Sequence, residues 1–221
     1  LADNDLSFLI NSGGSITMTA DAGVADGNGS FIMNTGDTIS TQGSSLTISG
    51  AGITLGSLNS GDGAITVNSS ASVDMGAATS VSQAVNVSVD SDNNGAETLT
   101  LRGVLSGTTV NLQGGTNGGD TLVAPNTVNT WSITSLNAGT LNGNNFSNFP
   151  NIQGGSANDT FSLTGIGQIT GSFNGAGDTT GDTVDYSGSP GGIFSITLNS
   201  NMLNVENIIG NGAATTLTAD N

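Results

Sequence analysis

The 221-residue chain sets 17 Asp and Glu against one basic residue, Arg102, with no His and no Cys, for a formal charge of −16. A surface of that sign repels nucleic acid and anionic lipid, the lack of Cys removes disulfides and zinc–thiolate centres, and no apolar run approaches the ~20 residues of a membrane-spanning helix. Hydrophobic residues are 34% of the chain and glycines number 35, so a core has to be assembled from many short aliphatic stripes.

From residue 15 onward, short runs alternate apolar residues with Ser, Thr or Asn, the period-two pattern of strands with one buried face. In chain order they are SITMTA (15–20), SFIMN (30–34), SLTIS (45–49), GITLGSL (52–58), AITVNS (64–69), NVSVD (86–90), TLTLRG (98–103) and TTVNL (108–112). β-branched residues dominate them, as pleated surfaces prefer, and no segment keeps a helical period. Asn-Gly steps at Asn28, Asn94, Asn117, Asn142, Asn174 and Asn211 mark turns, because both residues tolerate positive φ. In a hairpin protein they would be type I′ turns, in a solenoid they would be corners.

The spacing favours stacked coils. Met33 to Ile53, Ile53 to Val73 and Val67 to Val87 are each 20 residues apart, and Ile48 to Val67 is 19. A lap of about 20 residues carrying two or three short strands cannot bury its apolar side chains alone and gains stability by stacking on its neighbours. The expected fold is therefore all-β, a parallel β-helix (β-solenoid) with about 20 residues per coil.

Seven of the nine aromatics lie after residue 130, which marks a change of coil style there. Residues 1–128 read as regular coils, and 129–221 as aromatic-richer, less regular coils continuing the same rod. A looser motif recurs in the later part, an apolar residue, then a Gly-rich turn, then Asp-Thr: LQGGTNGGDTL (112–122), IQGGSANDTF (152–161) and FNGAGDTTGDTV (173–184), with a worn copy at 208–217. The chain opens LADND and closes LTADN, an echo expected of one module in a tandem array; beginning at Leu1, it reads as a processed product or a segment of something longer.

The Gly-Asp-Thr turns, the stretch NTWSITSLNAGTLNGNNFSNFPNIQGGSANDTFSL (129–163) and strands of the GSLNSGDGAITV type together resemble the rod repeats of filamentous-haemagglutinin-like bacterial surface adhesins. The resemblance implies a right-handed parallel β-helix, secretion to the cell exterior, and a role in adhesion or surface structure. The family's N-terminal secretion domain, with its Asn-Pro motifs, has no match in this chain.

Calcium is the candidate cofactor, though none is required by the fold. GGSANDTF (154–161) is close to the nonapeptide of calcium-binding β-rolls, which makes Asp120, Asp159 and Asp182 candidate ligands. They are 39 and 23 residues apart, too far for consecutive nonapeptides, so the competing reading is a tight turn whose Asp accepts backbone N–H bonds. VDSDNNGAE (89–97) opens like an EF-type loop through Asp90, Asp92 and Asn94, with Gly95 at the sixth place and Glu97 following. Leu101 stands at the twelfth place, where that loop needs an acid. Asp21, Asp26 and Asn28 form another acidic cluster.

Trp131, Phe146 and Phe149 either stack on a glycan or plug irregular coils, and the plug is the favoured reading. Catalysis is not expected: without His or Lys there is no imidazole or amine to activate a serine, and Asp182 and Asp185 fall on opposite faces of one strand. The expected function is thus a non-enzymatic, extracellular structural or adhesive module. Its partners are other copies joined end to end, or its own continuation in a larger chain, with no nucleic acid and no membrane insertion. Two further readings are a glycan- or receptor-binding module using the aromatic half, and a calcium-stabilised β-roll.

Overall fold

The computed structural model describes residues 6–7, 13–20, 29–177, 181–190, 194–198, 201–212 and 215–219. The acidic cluster of Asp21, Asp26 and Asn28, and the echoing ends at 1–5 and 220–221, lie outside the described residues. Described residues form strands, turns and bends with no helix, and they fall into two units, Leu1–Asp120 and Thr121–Asn221.

In the first unit the strands come in triplets. β1 (Leu6–Ser7), β2 (Ser15–Thr19) and β3 (Ser30–Ile32) are followed by β4 (Thr38–Ser40), β5 (Ser45–Gly50) and β6 (Gly52–Leu55). Next come β7 (Ser57–Gly61), β8 (Ile65–Ser69) and β9 (Val73–Met75), then β10 (Ala78–Ser80), β11 (Val85–Ser88) and β12 (Thr98–Leu101), and finally β13 (Leu105–Ser106) and β14 (Val110–Gln113). Each strand pairs in parallel with the strand three further on. The orders are β1-β4-β7-β10-β13, β2-β5-β8-β11-β14 and β3-β6-β9-β12. The architecture is all-β, parallel and repeat-like.

Register explains how so little hydrophobic sequence makes a core. Period-two alternation sends every second side chain inward, and in-register parallel pairing sets it on its counterpart in the next lap. Leu46, Ile65, Val85 and Val110 form one such ladder, and Ile48, Val67, Val87 and Leu112 another. All eight are buried. Ile53, Val73 and Leu99 stack in the third sheet, and Ile39, Leu58, Ala78 and Leu105 in the first. Of the four spacings read from sequence, Ile48–Val67, Ile53–Val73 and Val67–Val87 are true register partners. Met33–Ile53 is not: Phe31 pairs with Ile53.

The corner between the first and second sheets is polar inside. Thr41, Ser44, Ser60 and Ser80 are buried, and hydroxyls answer the turn's carbonyls. Thr41 Oγ1 donates to the Ser44 carbonyl at 2.5 Å, Ser80 Oγ to the Gly63 carbonyl at 2.7 Å, and Ser60 Oγ to the same Gly63 carbonyl. A buried carbonyl left unpaired would cost about 1–3 kcal/mol, so these short hydroxyl residues belong to the corner as much as the aliphatics belong to the faces.

The second unit contains β15 (Thr121–Val123), β16 (Thr130–Ser135), β17 (Ala138–Leu141), β18 (Asn144–Ser147) and β19 (Asn151–Gln153). Further along are β20 (Thr160–Thr164), β21 (Phe173–Asn174), β22 (Thr183–Gly188), β23 (Phe194–Leu198), β24 (Met202–Leu203), β25 (Asn207–Ile209) and β26 (Thr215–Ala219). Parallel pairing runs β16-β20-β22-β25 in one sheet and β15-β19-β21-β24-β23-β26 in the other. The purely parallel expectation needs a correction here, because β16, β17 and β18 form an antiparallel meander. Its second turn is Asn142-Gly143 with φ of 51° and 84°, the positive pair that a type I′ hairpin requires. The Thr130 amide donates to Asn142 Oδ1 and the Asn142 amide to the Thr130 carbonyl, which ties the turn back to β16.

Tyr186, on the inward face of β22, is 8% exposed, and burial pushes its phenol up to about 12. Between the ordinary value of 10.0 and about 12 the unfolded chain ionises and the folded one does not, so stability is lost across that window as pH rises. Tyr186 is the single tyrosine, so a tyrosinate absorbance titration reads it alone. The midpoint is expected near 12, and a midpoint near 10 would contradict its burial.

Candidate metal centre

The recurring Gly-rich, Asp-Thr motif is a hydrogen-bonding bracket. In IQGGSANDTF, Asp159 Oδ2 accepts the Gly155 amide at 2.6 Å, and Oδ1 accepts the Asn129 amide at 2.6 Å and its side-chain Nδ2 at 2.9 Å. One bond closes the turn and the others reach an earlier lap. The same device appears around Asp120, whose Oδ2 accepts the Gly115 amide and whose Oδ1 accepts the Glu97 amide, at 2.7 and 2.8 Å. The Asp159 amide in turn donates to Asp182 Oδ1, and the Asp182 amide to Glu206 Oε2. Asp120, Asp159 and Asp182 are fully buried.

The glycines of the motif follow from this geometry. A Cβ at Gly154 would overlap the Asp159 carboxylate, one at Gly175 the Asp182 carboxylate, and one at Gly115 the carboxylate of Asp90. Only a bare α-carbon lets a carboxylate lie flat beneath the chain.

Asp120 takes part in a second arrangement. The ligating oxygens of Asp90, Glu97 and Asp120 lie within 4.8 Å of one another, and no other such acidic trio is found among the described residues. Asp90 sits just after β11 at φ 49°, where its Oδ1 accepts the Asn94 amide at 2.6 Å. Its Oδ2 is buried and has no hydrogen-bond partner, and Glu97 Oε2 is in the same condition. Burial holds the Asp90 carboxyl above its ordinary range; the Asn94 N–H pulls it down, and Asp120 and Asp92 push it up. Glu97 is raised by burial and then by the charges of Asp90, Asp120 and Asp92.

The one basic side chain is engaged elsewhere: Arg102 donates to Asp74 at 2.5 Å and to the Leu55 carbonyl at 2.5 Å. The charge gathered at Asp90, Glu97 and Asp120 therefore has to be offset by a proton or by a bound cation.

The structure sorts the sequence candidates. Asp90 and Asp120, read from two different motifs, come together. Asp92 and Asn94 are exposed, and Asn94 meets Asp90 through its backbone amide, not its side chain. Asp159 and Asp182, in the second unit, serve the bracket ladder. Sequence reading passed over Glu97 as a partner of Asp120. The signal was its distance of 23 residues from Asp120, which is also the spacing of Asp159 and Asp182.

The glycan platform requires correction. Trp131, Phe146 and Phe149 are 0%, 3% and 0% exposed and offer no face to a sugar. Trp131 stacks on Phe161 with centroids 5.6 Å apart and planes 21° apart, and meets Phe146 edge-on at 5.6 Å. The Trp131 ring of β16 thus packs against rings carried by β18 and β20, strands of the same sheet.

In comparison with known proteins, no family model, no curated protein and no solved structure matches this chain.

Proposed function

We propose that the chain is a right-handed parallel β-solenoid module of an extracellular bacterial surface protein, non-enzymatic, whose work is structural or adhesive. The observation that supports it best is the in-register parallel stacking of successive triplets, in which every lap is the template for the next. Such a stack ends in strands with one open edge, and another lap is the surface that fits it. In the first unit β2 and β3 lie at the ends of their sheets. Copies then associate end to end, or the stack runs on within a longer chain. The Cys-free, strongly acidic composition accords with an exterior location, and the absence of His and Lys with a non-catalytic role.

Sedimentation velocity over a wide concentration range, with electron microscopy of the same samples, tests the association. Concentration-dependent linear assemblies are the expected result. A monodisperse monomer at the highest concentration reached would overturn end-to-end association.

A further inference from the structure

We propose that Asp90, Glu97 and Asp120 bind one hard divalent cation, of the calcium class, that fastens two successive laps of the first unit to each other. The donors are all carboxylate oxygens, the set that hard cations select over soft ones. Their mutual distances, within 4.8 Å, are no more than twice a calcium–oxygen bond of about 2.4 Å, the separation at which any two of them can share one ion.

A group of acids alone is common on a surface, but this one is built inward. Asp90 is 1% exposed, one of its carboxylate oxygens lies within 4.8 Å of an oxygen on each of the other two, and its buried Oδ2 has no donor to answer it. Glu97 presents a second buried oxygen without a donor. Gly115 roofs the site, because any side chain there would strike Asp90. The Gly115 and Glu97 amides hold Asp120 in place. Water completes the oxygen shell on the open side, where the exposed Asp92 adds a negative charge felt by both Asp90 and Glu97.

The site differs from both calcium readings made from sequence. It is not the EF-type loop, because Asp92 and Asn94 face outward. Nor is it a β-roll pair of identical turns, because its ligands come from unlike turns, with Asp90 and Glu97 in one lap and Asp120 at the next. It does not depend on end-to-end assembly and stands or falls separately from it.

The test is calorimetric titration of the full chain, stripped with chelator, using calcium chloride and then magnesium chloride, with thermal melts in parallel. One saturable calcium site and a rise in melting temperature are expected. Asp90→Asn should weaken that site at least tenfold and abolish the thermal response, while its chelator-treated melt is no lower than that of the parent chain. Glu97→Gln provides the same test if Asp90→Asn folds poorly. Asp62→Asn, an exposed acid elsewhere, should leave binding unchanged. No saturable heat, or an equal calcium response in Asp90→Asn and Glu97→Gln, would overturn the proposal and leave the trio neutralised by protons or the ion held diffusely by net charge.

Discussion

Asp159→Ala is expected to destabilise the second unit by about 3–5 kcal/mol, the range found when a buried, charged hydrogen-bonding centre is deleted. The Asp159 carboxylate receives two backbone amides and one side-chain amide, from Gly155 and Asn129, and lies fully buried. Alanine leaves those amides without an acceptor, at a cost of about 1–3 kcal/mol for each that water cannot reach. Asp159→Asn should cost less, about 1–3 kcal/mol, because one oxygen still accepts while the new NH2 faces a donor. Asp185, half-exposed and accepting only the Ser187 amide at 2.7 Å among the bonds described, is the control, with a loss of about 1 kcal/mol or less. Urea unfolding followed by the fluorescence of Trp131, the single tryptophan, reads all three variants. Equal losses at Asp159 and Asp185 would mean that the bracket is ordinary turn chemistry.

The second large effect is expected at Trp131. Truncation to alanine should cost about 3–5 kcal/mol, since it removes a fully buried ring from a cluster with Phe146 and Phe161. Trp131→Phe should cost about 1–2 kcal/mol, as ring contact with Phe161 is kept. The indole Nε1 of Trp131 is buried without a partner, so phenylalanine also removes an unanswered donor, which offsets part of the lost volume. The alanine and phenylalanine variants remove the fluorophore, so their unfolding is followed by far-ultraviolet circular dichroism. Similar losses in both variants would show that the stacked geometry contributes little.

These residues also mark what could be read in the sequence. The faces were legible because alternation and lap length act together: Ile48, Val67 and Val87 announce their stacking by type and by spacing. Phe31 and Met33 have the same parity in SFIMN, so alternation cannot decide which of them meets Ile53. β4, β9, β10 and β13 carry two or three residues each, too few to display a period. The hydroxyl corner was hidden for a different reason. Thr41, Ser60 and Ser80 look outward-facing by polarity, and their burial follows from carbonyls that only the folded turn brings near.

The candidate site divides along the same line. Gly154-Gly155 before Asp159 predicted a bracket within one turn, a local feature, and the Gly155 bond is there. The trio of Asp90, Glu97 and Asp120 joins residues across laps, and the lap length changes on the way: Ile65 and Val85 are 20 apart, Val85 and Val110 are 25. The extra residues make up the turn that carries Asp90 and Glu97. Asn142-Gly143 was legible as a turn, but a hairpin and a corner share that dipeptide, and only the pairing of β17 with β18 tells them apart.

The stacking of laps in parallel register underlies the fold, the cation site and the mode of assembly. Nuclear Overhauser contacts between methyl groups of the purified chain test it most directly. The account predicts two unbranched ladders with order preserved, Leu46–Ile65–Val85–Val110 and Ile48–Val67–Val87–Leu112. Contacts in reversed order, Leu46 with Val67 and Ile48 with Ile65 as strand partners, would mean antiparallel hairpins and would contradict it.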